Sequence, residues 1–88
     1  MNYTIQEIIK ISGCEVFGNT SADFYIDTLL TDSRSLAYPE STLFFALKTK
    51  HGNGHTYIKE LYDAGVRAFV CNIHETDIKS MPQAIFLS

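Results

Sequence analysis

Apolar positions recur every three to four residues at the start of the chain and then gather into short runs separated by polar strings. Ile5, Ile8 and Ile9 make one face of a predicted helix. Thr4 followed by Glu7 is a capping box, in which each side chain satisfies a backbone N–H that the first turn leaves unpaired. Tyr3 and Ile8 stand where a hydrophobic staple packs across such a box. Gly13 supplies the stop. Residues 14–17 follow as a short strand, closed by the Gly18-Asn19 turn signal. Residues 25–32 are rich in β-formers and predict one strand running into the polar string Thr31-Asp32-Ser33-Arg34-Ser35. Pro39 disfavours helix at Tyr38 and marks a turn. Leu43-Phe44-Phe45-Ala46-Leu47 is apolar at every position, the pattern of a central strand covered on both faces. A second helix is expected over residues 56–64, with Tyr57, Ile58, Leu61 and Tyr62 as its buried stripe and Gly65 as its stop. Residues 67–71 and 84–87 predict two further buried strands, separated by the Met81-Pro82 break.

The order helix, strand, strand, strand, helix, strand, strand predicts an α/β fold: a small mixed-sheet sandwich of about five strands with two helices. Residues 45–70 form a strand–helix–strand unit, whose strands are expected to be parallel. At 88 residues the chain is one domain, 1–88. It stops directly after its last predicted strand, as expected of a piece of a longer protein.

Charge and cysteine content narrow the partners. Seven Lys+Arg against ten Asp+Glu give a formal charge of −3, which argues against a nucleic-acid module driven by bulk positive charge. The longest apolar run is residues 43–47, far below the ~18–20 residues that span a bilayer, so no membrane partner is expected. The N-terminus lacks a basic flank and Lys10 interrupts its apolar stretch, unlike a secretory signal. Two cysteines, Cys14 and Cys71, make no disulfide framework, and a reduced cytoplasmic protein is the expectation.

Two loops carry candidate chemistry. In the first, Asp32 can accept from backbone N–H groups, Ser33 offers a hydroxyl, and Arg34 a planar fork suited to phosphate or carboxylate. The same string is also a common turn pair at a strand end. The second, Lys48-Thr49-Lys50-His51-Gly52-Asn53-Gly54-His55, combines two lysines with two glycines that let a backbone approach an anion. It is equally the composition of a flexible polar crossover. Neither G-x-x-x-x-G-K-[ST] nor G-x-G-x-x-G occurs. His51 and His55 are four apart and Cys71 lies three before His74, but nothing completes a metal site at sensible spacing, so no metal is expected. The residues alone predict an anion-tolerant pocket with no catalytic group and no cofactor in this chain.

Taken together and in order, Thr31-Asp32-Ser33-Arg34, Leu43-Phe44-Phe45-Ala46-Leu47-Lys48, Gly54-His55 with Tyr57-Ile58, and Ala64-Gly65-Val66-Arg67-Ala68 resemble the N-terminal domain of the Mur ligases. The likeness covers nearly the whole chain. It is nearest to those members that add D-alanyl-D-alanine to UDP-N-acetylmuramoyl-tripeptide, in the version fused to an alanine racemase in some bacteria. The resemblance implies a domain that holds the UDP end of the substrate for a cytoplasmic ligase of peptidoglycan synthesis. ATP and Mg²⁺ would be bound by a central domain and the amine substrate by a third, with pyridoxal phosphate in a fused racemase. Peptide-bond formation would run through an acyl phosphate. Carried over, the UDP contacts fall on Ser33, Arg34, Thr49, Lys50, Asn53 and His55, with Asp32 supporting its loop. The chain departs from the family where Thr49 replaces a usual Gly, Asn53 a usual Asp, and Pro39-Glu40-Ser41 a P-G-D turn. The alternative is a stand-alone or regulatory α/β binding domain with no ligase attached.

Overall fold

Alternation along Leu43–Ala46 sets the architecture. Leu43 and Phe45 face one apolar cluster while Phe44 and Ala46 face another, because successive side chains of a strand point to opposite sides. Ala68 and Val70 alternate in the same way with Phe69 and Cys71, as do Ile85 and Leu87 with Ala84 and Phe86. A sheet apolar on both faces requires a covering layer on each side.

The computed structural model describes residues 3–49 and 52–88, with Ser33 and Thr49 placed by their backbone. Strand β1 (Tyr3–Thr4) leads into helix α1 (Ile5–Ser12), followed by β2 (Val16–Gly18), β3 (Tyr25–Ile26) and β4 (Thr28–Leu30). Strand β5 (Thr42–Phe45) is followed by β6 (Lys48–Thr49) and β7 (Gly52–Asn53), a 3₁₀ turn at Gly54–Tyr57 and helix α2 (Ile58–Asp63). Strand β8 (Ala68–Val70) and strand β9 (Ile85–Leu87) flank two 3₁₀ turns, Ile73–Glu75 and Ile78–Ser80. The main sheet has the order β2-β9-β8-β5-β4. Its pairings are parallel except β2 with β9, so the sheet is mixed. Two-stranded ribbons, β1–β3 and β6–β7, stand apart from it. The expected α/β class with a five-stranded mixed sheet and two helices is the observed one.

One face carries α2 through the buried Ile58 and Leu61, with Met81 beside them. The other carries α1 through Ile5, together with Ile26 of the β1–β3 ribbon. On the α2 side a row of rings crosses the sheet. Phe44, Phe69 and Phe86 are register partners on β5, β8 and β9. Phe69 stacks on Phe86 at 5.5 Å between centroids and meets Phe44 edge-on at 6.3 Å. The buried polar Thr42 is satisfied, its hydroxyl donating to the Tyr38 carbonyl at 2.6 Å.

Helix α1 forms as its ends dictate. The Glu7 N–H donates to Thr4 Oγ1 at 3.2 Å, and the Thr4 N–H to Glu7 Oε1 at 3.1 Å. Gly13 closes it with φ of 70°, where a side chain would be strained.

Several expectations are corrected. Residues 25–32 are two strands in different sheets, not one. The chain changes sheet at Asp27, whose N–H donates to the Ser41 carbonyl and whose carboxylate accepts from the Ser41 and Thr28 hydroxyls. Those hydroxyls, Ser41 first, hold the Asp27 carboxyl below its usual range. Residues 54–57 form a 3₁₀ turn, so α2 begins at Ile58. Tyr57 falls outside the buried stripe of α2, being 45% exposed. Leu47 lies beyond the end of β5 and is 50% exposed, so the apolar run outlasts the buried strand.

Candidate functional site

Strands β4, β5 and β8 are parallel neighbours, so the connections leaving their C-terminal ends emerge on one edge of the sheet. Three side-chain caps are built there on one local rule. An Asx side-chain oxygen accepts from the backbone N–H two residues later and opens a 3₁₀ turn. Asp32 accepts from the Arg34 N–H, Asn53 from the His55 N–H and Asn72 from the His74 N–H, each at 3.0 Å. Each cap is followed at the second position by Arg or His.

In the first turn Asp32 takes a second and third bond from the Arg34 fork. Nε donates to Oδ1 at 3.1 Å and Nη2 to Oδ2 at 2.9 Å. The guanidinium bonds hold the Asp32 carboxyl below its usual range, and the carboxylate raises Arg34 in return. Arg34 is 88% exposed, so this pair orients the side chain more than it stabilises the fold. The Nε–Nη2 edge is occupied, and the Nη1 edge faces away from Asp32.

The second loop is pinned to the end of β5. The Gly54 N–H donates to the Leu47 carbonyl at 2.7 Å. A side chain at Gly54 would have its Cβ 2.7 Å from the Leu47 nitrogen and 3.0 Å from Ala46 Cα, so only glycine allows this approach. Asn53 and His55 are occupied within the protein. Asn53 Oδ1 lies 2.7 Å from His55 Nδ1, and the Asn72 N–H donates to His55 Nε2 at 2.8 Å. Lys48 is held too, its Nζ donating to Glu75 Oε1 at 2.6 Å. That bond is the main reason the Glu75 carboxyl lies below its usual range. A groove beside His55 is lined by Ile58, Lys59, Glu75, Asp77 and Met81.

Of the residues singled out from the sequence, Asp32, Arg34, Asn53 and His55 stand on this edge. Ser33 and Thr49 are located there by backbone, Ser33 within the first turn and Thr49 in β6 opposite Gly52. Lys50 and His51 lie outside the described residues. The sequence reading missed the third turn. Asn72 and Glu75 hold the second loop from 17 and 27 residues away. Their one local signal is the repeat of an Asx residue two before Arg or His.

Cys71 is buried in the core, and burial pushes its thiol up. Among the described residues, no three His, Cys, Asp or Glu side chains gather in a way that could hold a metal ion. Among them too, no helix is long and apolar enough to cross a membrane. Compared with known proteins, the chain matches no family model and no curated protein sequence.

Proposed function

We propose that this domain binds the uridine diphosphate end of UDP-N-acetylmuramoyl-tripeptide, as the N-terminal part of a cytoplasmic, ATP-dependent ligase of the Mur type that adds D-alanyl-D-alanine. The observation that carries the proposal is the delivery of the 31–35 turn and the 46–57 connection to one sheet edge by the adjacent parallel strands β4 and β5. Crevices outside the carboxyl ends of parallel strands are where α/β sheets take nucleotides. Arg34, oriented by Asp32, keeps its Nη1 edge for a phosphate oxygen. Ser33, Thr49 and Lys50 are the further proposed contacts. Asn53 and His55 contribute through the backbone they hold, since their side chains are bonded within the protein. ATP, Mg²⁺ and the amine substrate belong in this reading to other domains, and pyridoxal phosphate to a fused racemase.

An NMR titration of the 88 residues with UDP, and separately with ATP and with sulfate, tests it. Shifts confined to residues 31–35 and 48–56, larger for UDP and lost in Ser33→Ala, are expected. The dissociation constant should be near millimolar, about −4 kcal/mol, because the intact ligase would share its substrate among domains. Shifts elsewhere, or an equal response to all three anions, would reduce the site to unspecific charge.

A further inference from the structure

The hydrogen bonds around His55 fix more than its position. A backbone N–H can only donate, so His55 Nε2, 2.8 Å from the Asn72 nitrogen, must present a lone pair. The neutral ring then carries its proton on Nδ1, which donates to Asn53 Oδ1 at 2.7 Å. The orientation of the Asn53 amide is set independently, because the same oxygen accepts from the His55 N–H at 3.0 Å. Two backbone donors thereby determine one amide orientation and one tautomer.

We propose that His55 is a proton-operated latch: neutral, it ties the Gly54–Tyr57 turn to the Asn72 N–H that opens the turn after β8, and protonated, it releases that bond. An imidazolium has two N–H donors and no acceptor, so its Nε2–H would oppose the Asn72 N–H. Histidine is the side chain that ordinarily changes charge near neutral pH. Charged groups surround the ring. Glu75 of the Ile73–Glu75 turn lines the groove beside His55, and its carboxylate accepts from Lys48 Nζ and from the Asn72 side-chain amide. Lys59 of α2 and Asp77 line the groove that His55 also lines. Lys48 of β6 bonds Glu75, a second tie between the same two segments that ring protonation leaves in place. The proton-dependent tie is therefore the bond between the Asn72 N–H and His55 Nε2. As a control of ligand access the latch rests on the function proposed above, whereas its existence does not.

The test is a ligand-free NMR pH titration of the 88 residues. At about pH 8 the ring nitrogens should report the Nδ1–H tautomer. On acidification to about pH 5, the Asn72 amide shift should follow ring protonation. Over the same range its exchange protection should fall by ~10-fold, the loss of a single hydrogen bond. The amides of Phe69 and Phe86 in the sheet should stay protected. In His55→Gln, whose carbonyl accepts from the Asn72 N–H and does not titrate, the dependence should vanish. An Nε2–H tautomer at high pH overturns the proposal. So does an Asn72 amide indifferent to ring protonation, or a dependence that persists in His55→Gln. UDP is kept out of the titration, so failure to bind UDP bears on the proposed function and not on the latch.

Discussion

Phe44 and Phe45 are adjacent and chemically identical, yet only Phe44 is fully enclosed, at 1% exposure in the ring row. Phe45 is half-buried against the α1 side. Phe44→Ala should cost ~3–5 kcal/mol, a large part of a small domain's stability, and Phe45→Ala clearly less. Urea midpoints of the two variants check this, and equal losses would contradict the burial. The apolar run announced a two-faced strand but could not say which ring meets the deeper layer, because that depends on what covers each face. At the surface, Glu75 titrates below its usual 4.5 because of Lys48. A carboxyl lowered by folding adds stability above its unfolded pKa, and that stability is lost as pH falls through the folded value. The wild type should therefore lose stability from about pH 4.5 downward, and Glu75→Gln should lose it less steeply, as melting temperatures across that range would show. The turn pair of Asp32 and Arg34 was legible because the two bond over two positions. His55 was legible only as a polar residue, since its deciding partner, Asn72, is 17 positions away.

The elements best read from the sequence were those whose ends are local. Helix α1 follows from Thr4, Glu7 and Gly13 without reference to any other segment. The single strand expected over 25–32 failed for the opposite reason. Its residues suit extended backbone throughout, and only pairing to β1 on one side and β5 on the other breaks it at Asp27. Close approach was likewise invisible. Gly54 looked like loop freedom but is a contact, seated on the backbone at the end of β5. Gly54→Ala should destabilise by ~1–3 kcal/mol, because the added methyl meets main chain that has no rotamer to yield. Amide shifts should spread from residue 46 to residue 55, and a variant with unchanged midpoint and spectrum would show that the loop is not seated there.

The sheet as a unit was foreseeable in strand number and in its parallel β5–β8 unit, but not in its order. Nothing in the local pattern places β9 inside, between β2 and β8, because that position is decided by which apolar faces remain to be matched. The placement has a kinetic side. Residues 16–18 pair with residues 85–87, so the pairing at one edge of the sheet joins segments almost a chain length apart. Such non-local closure is slow compared with helix or hairpin formation. Synthesised from the N-terminus, the chain would hold β8 and β2 as open edges, with Phe69 lacking its stacked neighbour, until Leu87 had been added. Open edges beside bare aromatic rings invite pairing with other chains. The nascent chain is therefore most prone to aggregate before β9 arrives, because β9 is the strand that closes the edges of both β2 and β8.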